Sequence, residues 1–193
     1  MAHTPTILAF AGSTRVDSFN KKLVKIAAAG ARAAGAEVTY VDLRDLVMPL
    51  YDGDLEAKEG IPPNAQKFKE LMLTHQGLLI SAPEYNSGIS GVLKNAIDWA
   101  SRSAPGEAPL ACFVGKVAAL MSASPGSLGG LRSLVQVRAI LGNIHVLVLP
   151  DQIAIPKAHE AFNADGTLKD AKQQGAVEKL GAQLADVLRK LKA

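Results

Sequence analysis

The chain has 193 residues, of which nearly half are apolar and a fifth are charged. This length and composition are typical of a globular protein that can bury a hydrophobic core, and they exclude a low-complexity protein. The longest apolar runs, such as 144–149, are far too short to cross a bilayer, and residues 1–5 lack the pattern of a secretory signal, so we expect no membrane partner.

The net charge is +3, but the basic residues form no run, so we expect no nucleic acid partner. A mild positive charge suits small anionic ligands such as nucleotides. The single cysteine, Cys112, excludes an internal disulfide and predicts a reducing compartment, which favours a cytoplasmic location. Cys112 itself is interpreted as a small packing residue rather than a reactive thiol.

Apolar, strand-like segments alternate with helix-like segments along the whole chain. Strands are predicted at 6–11, 37–43, 77–82, 116–121 and 144–149, and helices at 20–34, 63–74, 92–101, 131–141 and 169–190. This alternation predicts one α/β domain, 1–193, with a doubly wound, five-stranded parallel sheet and helices on both faces. His145, within the last predicted strand, is interpreted as a hydrogen-bonded core residue.

Ligands of such sheets bind beyond the carboxyl ends of the strands. The site is therefore expected in the loops after the first, third and fourth predicted strands, at 12–19, 83–90 and 122–130. All three loops are rich in glycine, serine and other small polar residues.

The first of these loops combines a helix start with hydroxyl, amide and guanidinium groups. Free N–H groups, the hydroxyls of Ser13 and Ser18 and the amide of Asn20 would surround an anion, and Arg15 adds a permanent charge. Alternatively, Ser18 merely caps the helix and Arg15 is solvated, and the residues alone do not decide between these interpretations. Gly12 is the only glycine in the loop and no Gly-Lys follows, which excludes a dinucleotide fingerprint and a Walker loop and favours a monophosphate.

The second loop offers an aromatic surface and polar groups to a flat ligand. It contains Pro83-Glu84-Tyr85-Asn86-Ser87, followed by two glycines that let the backbone approach a ligand closely. Tyr85 provides the aromatic surface, and Asn86 provides a donor and an acceptor. The alternative is a plain surface turn.

Taken together, these motifs resemble one family. Gly-Ser-x-Arg-x-x-Ser-x-Asn at 12–20, with Pro-Glu-Tyr-Asn at 83–86 and Leu-Lys-Asn-Ala-Ile-Asp-Trp at 93–99, is similar to the NAD(P)H-dependent FMN reductases. That family includes bacterial quinone and chromate reductases and related azoreductases. The resemblance implies a flavodoxin-like fold, bound FMN, and NADPH or NADH as the electron donor.

The resemblance also implies which residues hold the cofactor. It assigns the FMN phosphate to Ser13, Arg15, Ser18 and Asn20, and the isoalloxazine ring to Glu84, Tyr85, Asn86 and Ser87, with Phe19, Pro83 and Ser124 also in the cofactor site. The reaction that the resemblance implies needs no metal and no catalytic side chain, because the chemistry takes place at flavin N5.

Further residues have two interpretations each. Asn86 and Arg102 are candidates for binding the second substrate, although a solvated surface arginine is the interpretation we favour for Arg102. Family members commonly form dimers or tetramers with flavin sites at subunit interfaces, so the resemblance implies a homodimer or homotetramer. Tyr51 and Asp52 would then lie near a neighbouring subunit's flavin, or they form a simple surface turn.

The resemblance predicts an enzyme that passes electrons from NAD(P)H through FMN to a small acceptor in a ping-pong cycle. Quinones, free flavin, azo compounds and metal oxyanions such as chromate are the candidate acceptors. The alternative is a non-enzymatic, flavodoxin-type electron-transfer module that a partner protein reduces. Arg15, the positive net charge and the lack of an aromatic residue in 122–130, which would leave one flavin face open, favour the enzyme.

Overall fold

The computed structural model describes residues 3–192, in which a central sheet lies between two layers of helices. In chain order the elements are β1 (Thr6–Ala11), α1 (Phe19–Ala33), β2 (Glu37–Asp42), α2 (Gly53–Glu59), α3 (Pro63–Thr74), β3 (Gly77–Ser81), β4 (Glu84–Tyr85), β5 (Gly88–Ile89), α4 (Gly91–Ala100), β6 (Val117–Ala123), α5 (Leu131–Asn143), β7 (Leu147–Ile155), α6 (Ala158–Ala161) and α7 (Ala171–Lys192). None of the helices within 3–192 is both long enough and apolar enough to span a membrane.

The main sheet has the order β2-β1-β3-β6-β7, and all its strand pairs are parallel. Its three central strands are almost wholly buried, as expected of strands covered on both faces. One core lies against α1 and α7, and the other lies against α3, α4 and α5. The predicted doubly wound α/β fold is confirmed, and the strand order brings the carboxyl ends of β1, β3 and β6 side by side.

The last strand differs from its prediction. Helix α5 continues to Asn143, and a turn follows in which His145 adopts a φ of +68°. The strand therefore begins at Leu147 and runs to Ile155, with a register shift where it passes Pro150. A proline is tolerated there because β7 is an edge strand. The prediction for His145 was wrong, since it is exposed in the turn.

Smaller elements were not predicted. They are helix α2 with seven residues, helix α6 with four, and the hairpin strands β4 and β5 with two each. Ser122 and Ala123, placed in a loop by the sequence, belong to β6. Cys112 is fully buried, and this burial raises the pKa of its thiol, which confirms that it is a packing residue.

Helices α1 and α7 pack unusually closely because each presents a glycine to the other. A Cβ atom at Gly181 would lie 1.9 Å from the Ala27 carbonyl oxygen, and one at Gly30 would lie 2.0 Å from the Glu178 carbonyl oxygen. No side chain fits at these distances, so the two helices would have to separate. Since α1 begins at the loop after β1, their packing also determines where that loop lies.

Replacing Gly181 with alanine is expected to destabilise the protein by about 1–3 kcal/mol, the usual range for overpacking. The matched control is Gly175→Ala on the same helix, where a Cβ meets open space. That change is expected to stabilise the protein by up to about 1 kcal/mol through helix propensity. Urea unfolding of both variants measures the difference, and equal midpoints would contradict the packing argument.

Candidate functional site

The loops after β1, β3 and β6 line a cleft of about 120 Å³ at the carboxyl edge of the sheet. Its walls are Ser13, Arg15, Ser18, Phe19, Asn20, Pro83, Glu84, Tyr85, Ala123, Ser124 and Pro125. Of the residues predicted to bind the cofactor, all except Asn86 and Ser87 are in this wall. The three loops therefore come together as the sheet order requires.

A larger groove of about 580 Å³ lies between α2, α3 and the segment after α4. Its lining includes four carboxylates, from Glu56, Glu59, Glu70 and Glu107, and the one lysine there, Lys69, is paired with Glu107 at 2.7 Å. A phosphate would be repelled by this surface. The smaller cleft is therefore the better candidate for an anionic ligand.

Asn20 fixes the relative positions of the elements around the cleft. Its Oδ1 accepts hydrogen bonds from Ser81 Oγ at 2.8 Å and from the Ala123 N–H at 3.0 Å, while its Nδ2 donates to the Ala123 carbonyl at 2.8 Å. The side chain thus connects the start of α1 to the ends of β3 and β6. Although Asn20 lines the cleft, most of its hydrogen-bonding capacity is used within the protein.

Three helices begin near this edge, and their N-termini are satisfied differently. Ser90 caps α4 by accepting from the Leu93 N–H, and Glu84 accepts from N–H groups at the start of α5. Ser18 precedes α1, but its side chain makes no hydrogen bond to the first turn of this helix within residues 3–192. Capping by the Ser18 side chain, the alternative left open by the sequence, is therefore wrong.

The surroundings of the α1 N-terminus are positive. Arg15 is exposed on the loop, and the buried Ser13 hydroxyl accepts from the Arg15 N–H at 3.3 Å. Asp17, in the same loop, pairs with Lys22 at 2.6 Å, and the hydrogen bond from this ammonium lowers the pKa of the Asp17 carboxyl. The one carboxylate of the loop is thus matched by a neighbouring cation.

The second loop forms a tight hairpin. Asn86 and Ser87 connect β4 to β5 with φ angles of +52° and +65°, which is the pattern of a type I′ turn. The Ser87 hydroxyl accepts from Arg132 Nη1 at 3.0 Å, and its carbonyl accepts from Gln136 Nε2 at 2.9 Å. Ser87 is therefore bound to α5 and is not part of the cleft wall, whereas Tyr85 lines the cleft and is 54% exposed.

Glu84 is also bound to α5. One carboxylate oxygen accepts from the backbone N–H groups of Arg132 at 3.0 Å and Ser133 at 3.4 Å, and the other accepts from Arg132 Nη1 at 3.5 Å. Sequence reasoning missed Arg132 and Gln136, which hold the hairpin. Neither carries a local motif that would have revealed this role.

Tyr51, Asp52 and Arg102 are not in the wall of this cleft. Asp52 caps α2 by accepting from the Asp54 and Leu55 N–H groups. Arg102 lies over the Tyr51 ring, 5.3 Å from its centroid, and donates to the Tyr51 hydroxyl at 3.3 Å. Arg102 is therefore half-buried against Tyr51 rather than simply solvated. Asp52 is exposed, as expected of a surface segment, and its side chain caps a helix there.

The helix before Arg102, α4, anchors the segment that follows β2. Trp99 is fully buried and donates to the Pro49 carbonyl at 2.8 Å, and Asn95 bonds to the backbone of the same segment. Within this chain these contacts fix residues 49–51 against α4.

Comparison with known proteins identifies relatives that match most of the chain. Residues 5–160 match the family model described as NADPH-dependent FMN reductase. An NAD(P)H-dependent FMN reductase of Pseudomonas aeruginosa is 37% identical over 174 residues, which cover 89% of each chain. An NADPH:quinone oxidoreductase of Arabidopsis thaliana is 32% identical over 169 residues, covering 85% of this chain and 82% of the relative.

Solved structures give the same result. The flavoenzyme FerB from Paracoccus denitrificans, an NAD(P)H:(acceptor) oxidoreductase, superposes with a TM-score of 0.79 at 28% identity, covering 97% of this chain and 98% of FerB. An archaeal flavodoxin superposes with a TM-score of 0.62 at 10% identity over 95% and 99% of the two chains, which supports the flavodoxin-like fold alone. From the family match over 5–160 and the relatives above 30% identity, the chain belongs to the NADPH-dependent FMN reductase family.

Proposed function

We propose that this oxidoreductase passes electrons from NAD(P)H through bound FMN to a small acceptor, in a ping-pong cycle. Quinones are the first candidate acceptors, because several relatives are named quinone reductases or quinone oxidoreductases. Free flavin, azo compounds and metal oxyanions such as chromate are further candidates. The observation that carries the proposal is the start of α1 in the wall of the cleft, which has no side-chain cap within residues 3–192 and has Arg15 beside it.

The start of α1 fits a phosphate group. Helix N-termini attract anions through free N–H groups and the helix dipole, and here the hydroxyls of Ser13 and Ser18 lie in the same cleft wall. Arg15 supplies a guanidinium on the exposed side of the loop. The starts of α4 and α5 are capped by Ser90 and Glu84, so the start of α1 is the better site for the phosphate.

The rest of the cofactor would extend from this end toward the hairpin. A cleft of about 120 Å³ is smaller than the usual pocket for a whole cofactor, so part of the ligand must lie outside it. Tyr85 and Asn86 at the hairpin would contact the isoalloxazine ring, and Ser124 would contact it from the loop after β6. Asn86 is exposed at the turn, where it could also contact the second substrate.

When bound, FMN supplies the redox chemistry that no side chain of the protein can perform. The protein holds the phosphate, orients the ring and leaves a face accessible. Tyr85 is half-exposed and the segment 124–130 has no aromatic residue, so this side of the cleft would stay open to solvent. Both substrates would use this opening in turn, as a ping-pong cycle requires.

Replacing Arg15 with alanine is expected to weaken FMN binding by about 1.5–3 kcal/mol, because a charge-assisted hydrogen bond is lost. The affinity for riboflavin, which lacks the phosphate, is expected to stay the same. The control is Arg44→Ala, which removes an exposed arginine from a segment outside the cleft wall. Fluorescence titration of each variant with both flavins measures the effect, and an unchanged FMN affinity in the Arg15 variant would contradict the phosphate assignment.

An absorbance experiment without oxygen tests the proposed function as a whole. The protein saturated with FMN is expected to lose its flavin absorbance on addition of NADPH or NADH and to regain it on addition of a quinone. Parallel lines in double-reciprocal plots of the initial rates would support the ping-pong cycle. A bound flavin that neither nucleotide reduces would favour the electron-transfer module, and a protein that binds no FMN would refute the proposal.

A further inference from the structure

We propose that Glu84 is a positioning residue for the flavin ring: its carboxylate caps α5 and thereby holds Tyr85 and Asn86 at the edge of the cleft. This inference rests on the proposed function and assigns the Glu84 carboxylate a role beyond the sequence-based expectation that Glu84 contacts the ring. The carboxylate acts through the hairpin.

The geometry around the carboxylate supports a cap. Glu84 Oε2 accepts from the N–H groups of Arg132 and Ser133, the second and third residues of α5, at 3.0 and 3.4 Å. The residue that precedes the helix is Gly130, which has no side chain to cap it. Glu84 therefore does from another element what a serine or aspartate usually does from the N-cap position. Its side chain is only 12% exposed, so both oxygens depend on these partners.

The turn after Tyr85 needs this support. Asn86 and Ser87 both have positive φ angles. Asparagine tolerates this conformation, but it is unfavourable for the serine that follows. Arg132 donates to both Glu84 and Ser87, and Gln136 donates to the Ser87 carbonyl. Arg132 and Gln136, one helical turn apart on α5, thus hold both ends of the hairpin loop. Loss of the Glu84 cap would release the β4 side, where Tyr85 begins the turn.

The cap also neutralises a charge. Glu84 lines the cleft, and an unpaired carboxylate there would repel an anionic cofactor and oppose the gain of electrons by the ring. The positive N-terminus of α5 and the Arg132 guanidinium offset this charge. The same contacts therefore provide position and electrostatic balance.

The first test uses the protein without flavin. In Glu84→Ala, hydrogen exchange of the Arg132 and Ser133 amides is expected to become roughly tenfold faster, as for a lost helix cap. Glu84→Gln keeps an acceptor oxygen and is expected to restore most of the protection. The control is Glu70→Ala, which removes an exposed glutamate from α3. Unchanged exchange at both amides in Glu84→Ala would overturn the proposal.

The second test uses the FMN-loaded protein. At saturating FMN, Glu84→Ala is expected to change the fluorescence and visible circular dichroism of the bound flavin, because Tyr85 no longer holds its place against the ring. Its dissociation constant for FMN is expected to rise about tenfold or more. Glu84→Gln should recover the wild-type spectra, and Glu70→Ala should not alter them. A general loss of stability would lower the melting temperature without changing the spectrum of flavin that remains bound.

Failure of the positioning role can be distinguished from failure of the proposed function. If the wild-type protein bound no FMN, the proposed function would be wrong and with it this inference. If the wild-type protein bound and reduced FMN, but Glu84→Ala gave wild-type spectra of the bound flavin, only the positioning role would be overturned. Spectral changes that Glu84→Gln failed to reverse would also overturn it, because they would indicate a direct effect of the charge on the ring.

Discussion

The geometry of the cleft depends on the side chain of Asn20. A single amide bonds to Ser81 Oγ and to both the N–H and the carbonyl of Ala123, so it joins the start of α1 to the ends of two central strands. These contacts are buried, where an unpaired amide would be costly. The start of α1 is therefore held against the carboxyl ends of β3 and β6. A ligand that spans all three loops meets a surface that is already assembled.

The helix N-termini around this surface differ in their caps, and this difference would orient a bound ligand. The starts of α4 and α5 are satisfied by Ser90 and Glu84, whereas the Ser18 side chain leaves the first turn of α1 without a cap among residues 3–192. Because an anion is stabilised most where N–H groups have no other partner, an elongated ligand would place its phosphate at α1. Its uncharged end would then extend toward the hairpin and Tyr85. In the proposed binding mode, capping would thus contribute to ligand orientation as well as to helix stability.

The sequence predicted the layers of the fold and the loops of the site, because both leave local patterns. Long apolar runs indicated the strands, and small polar residues after them indicated the site. The β4–β5 hairpin was missed because strands of two residues have no recognisable period. The partners of Asn20 and Glu84 lie 48 to 103 positions away along the chain, so their roles could not be read from neighbouring residues. The Ile144 to Leu149 segment was misassigned since apolar residues at the end of a helix and in the following strand form one run.

The position of the hairpin follows from the core rather than from the hairpin's own sequence. Two strands of two residues cannot hold a strained turn by themselves. Arg132 and Gln136 supply the missing hydrogen bonds from α5, and α5 is fixed by the buried Leu134 and Val137 on its opposite face. The hairpin end of the cleft is therefore connected through one helix to the hydrophobic core. A substitution that shifts α5 in that core would therefore also displace the hairpin at the edge of the cleft.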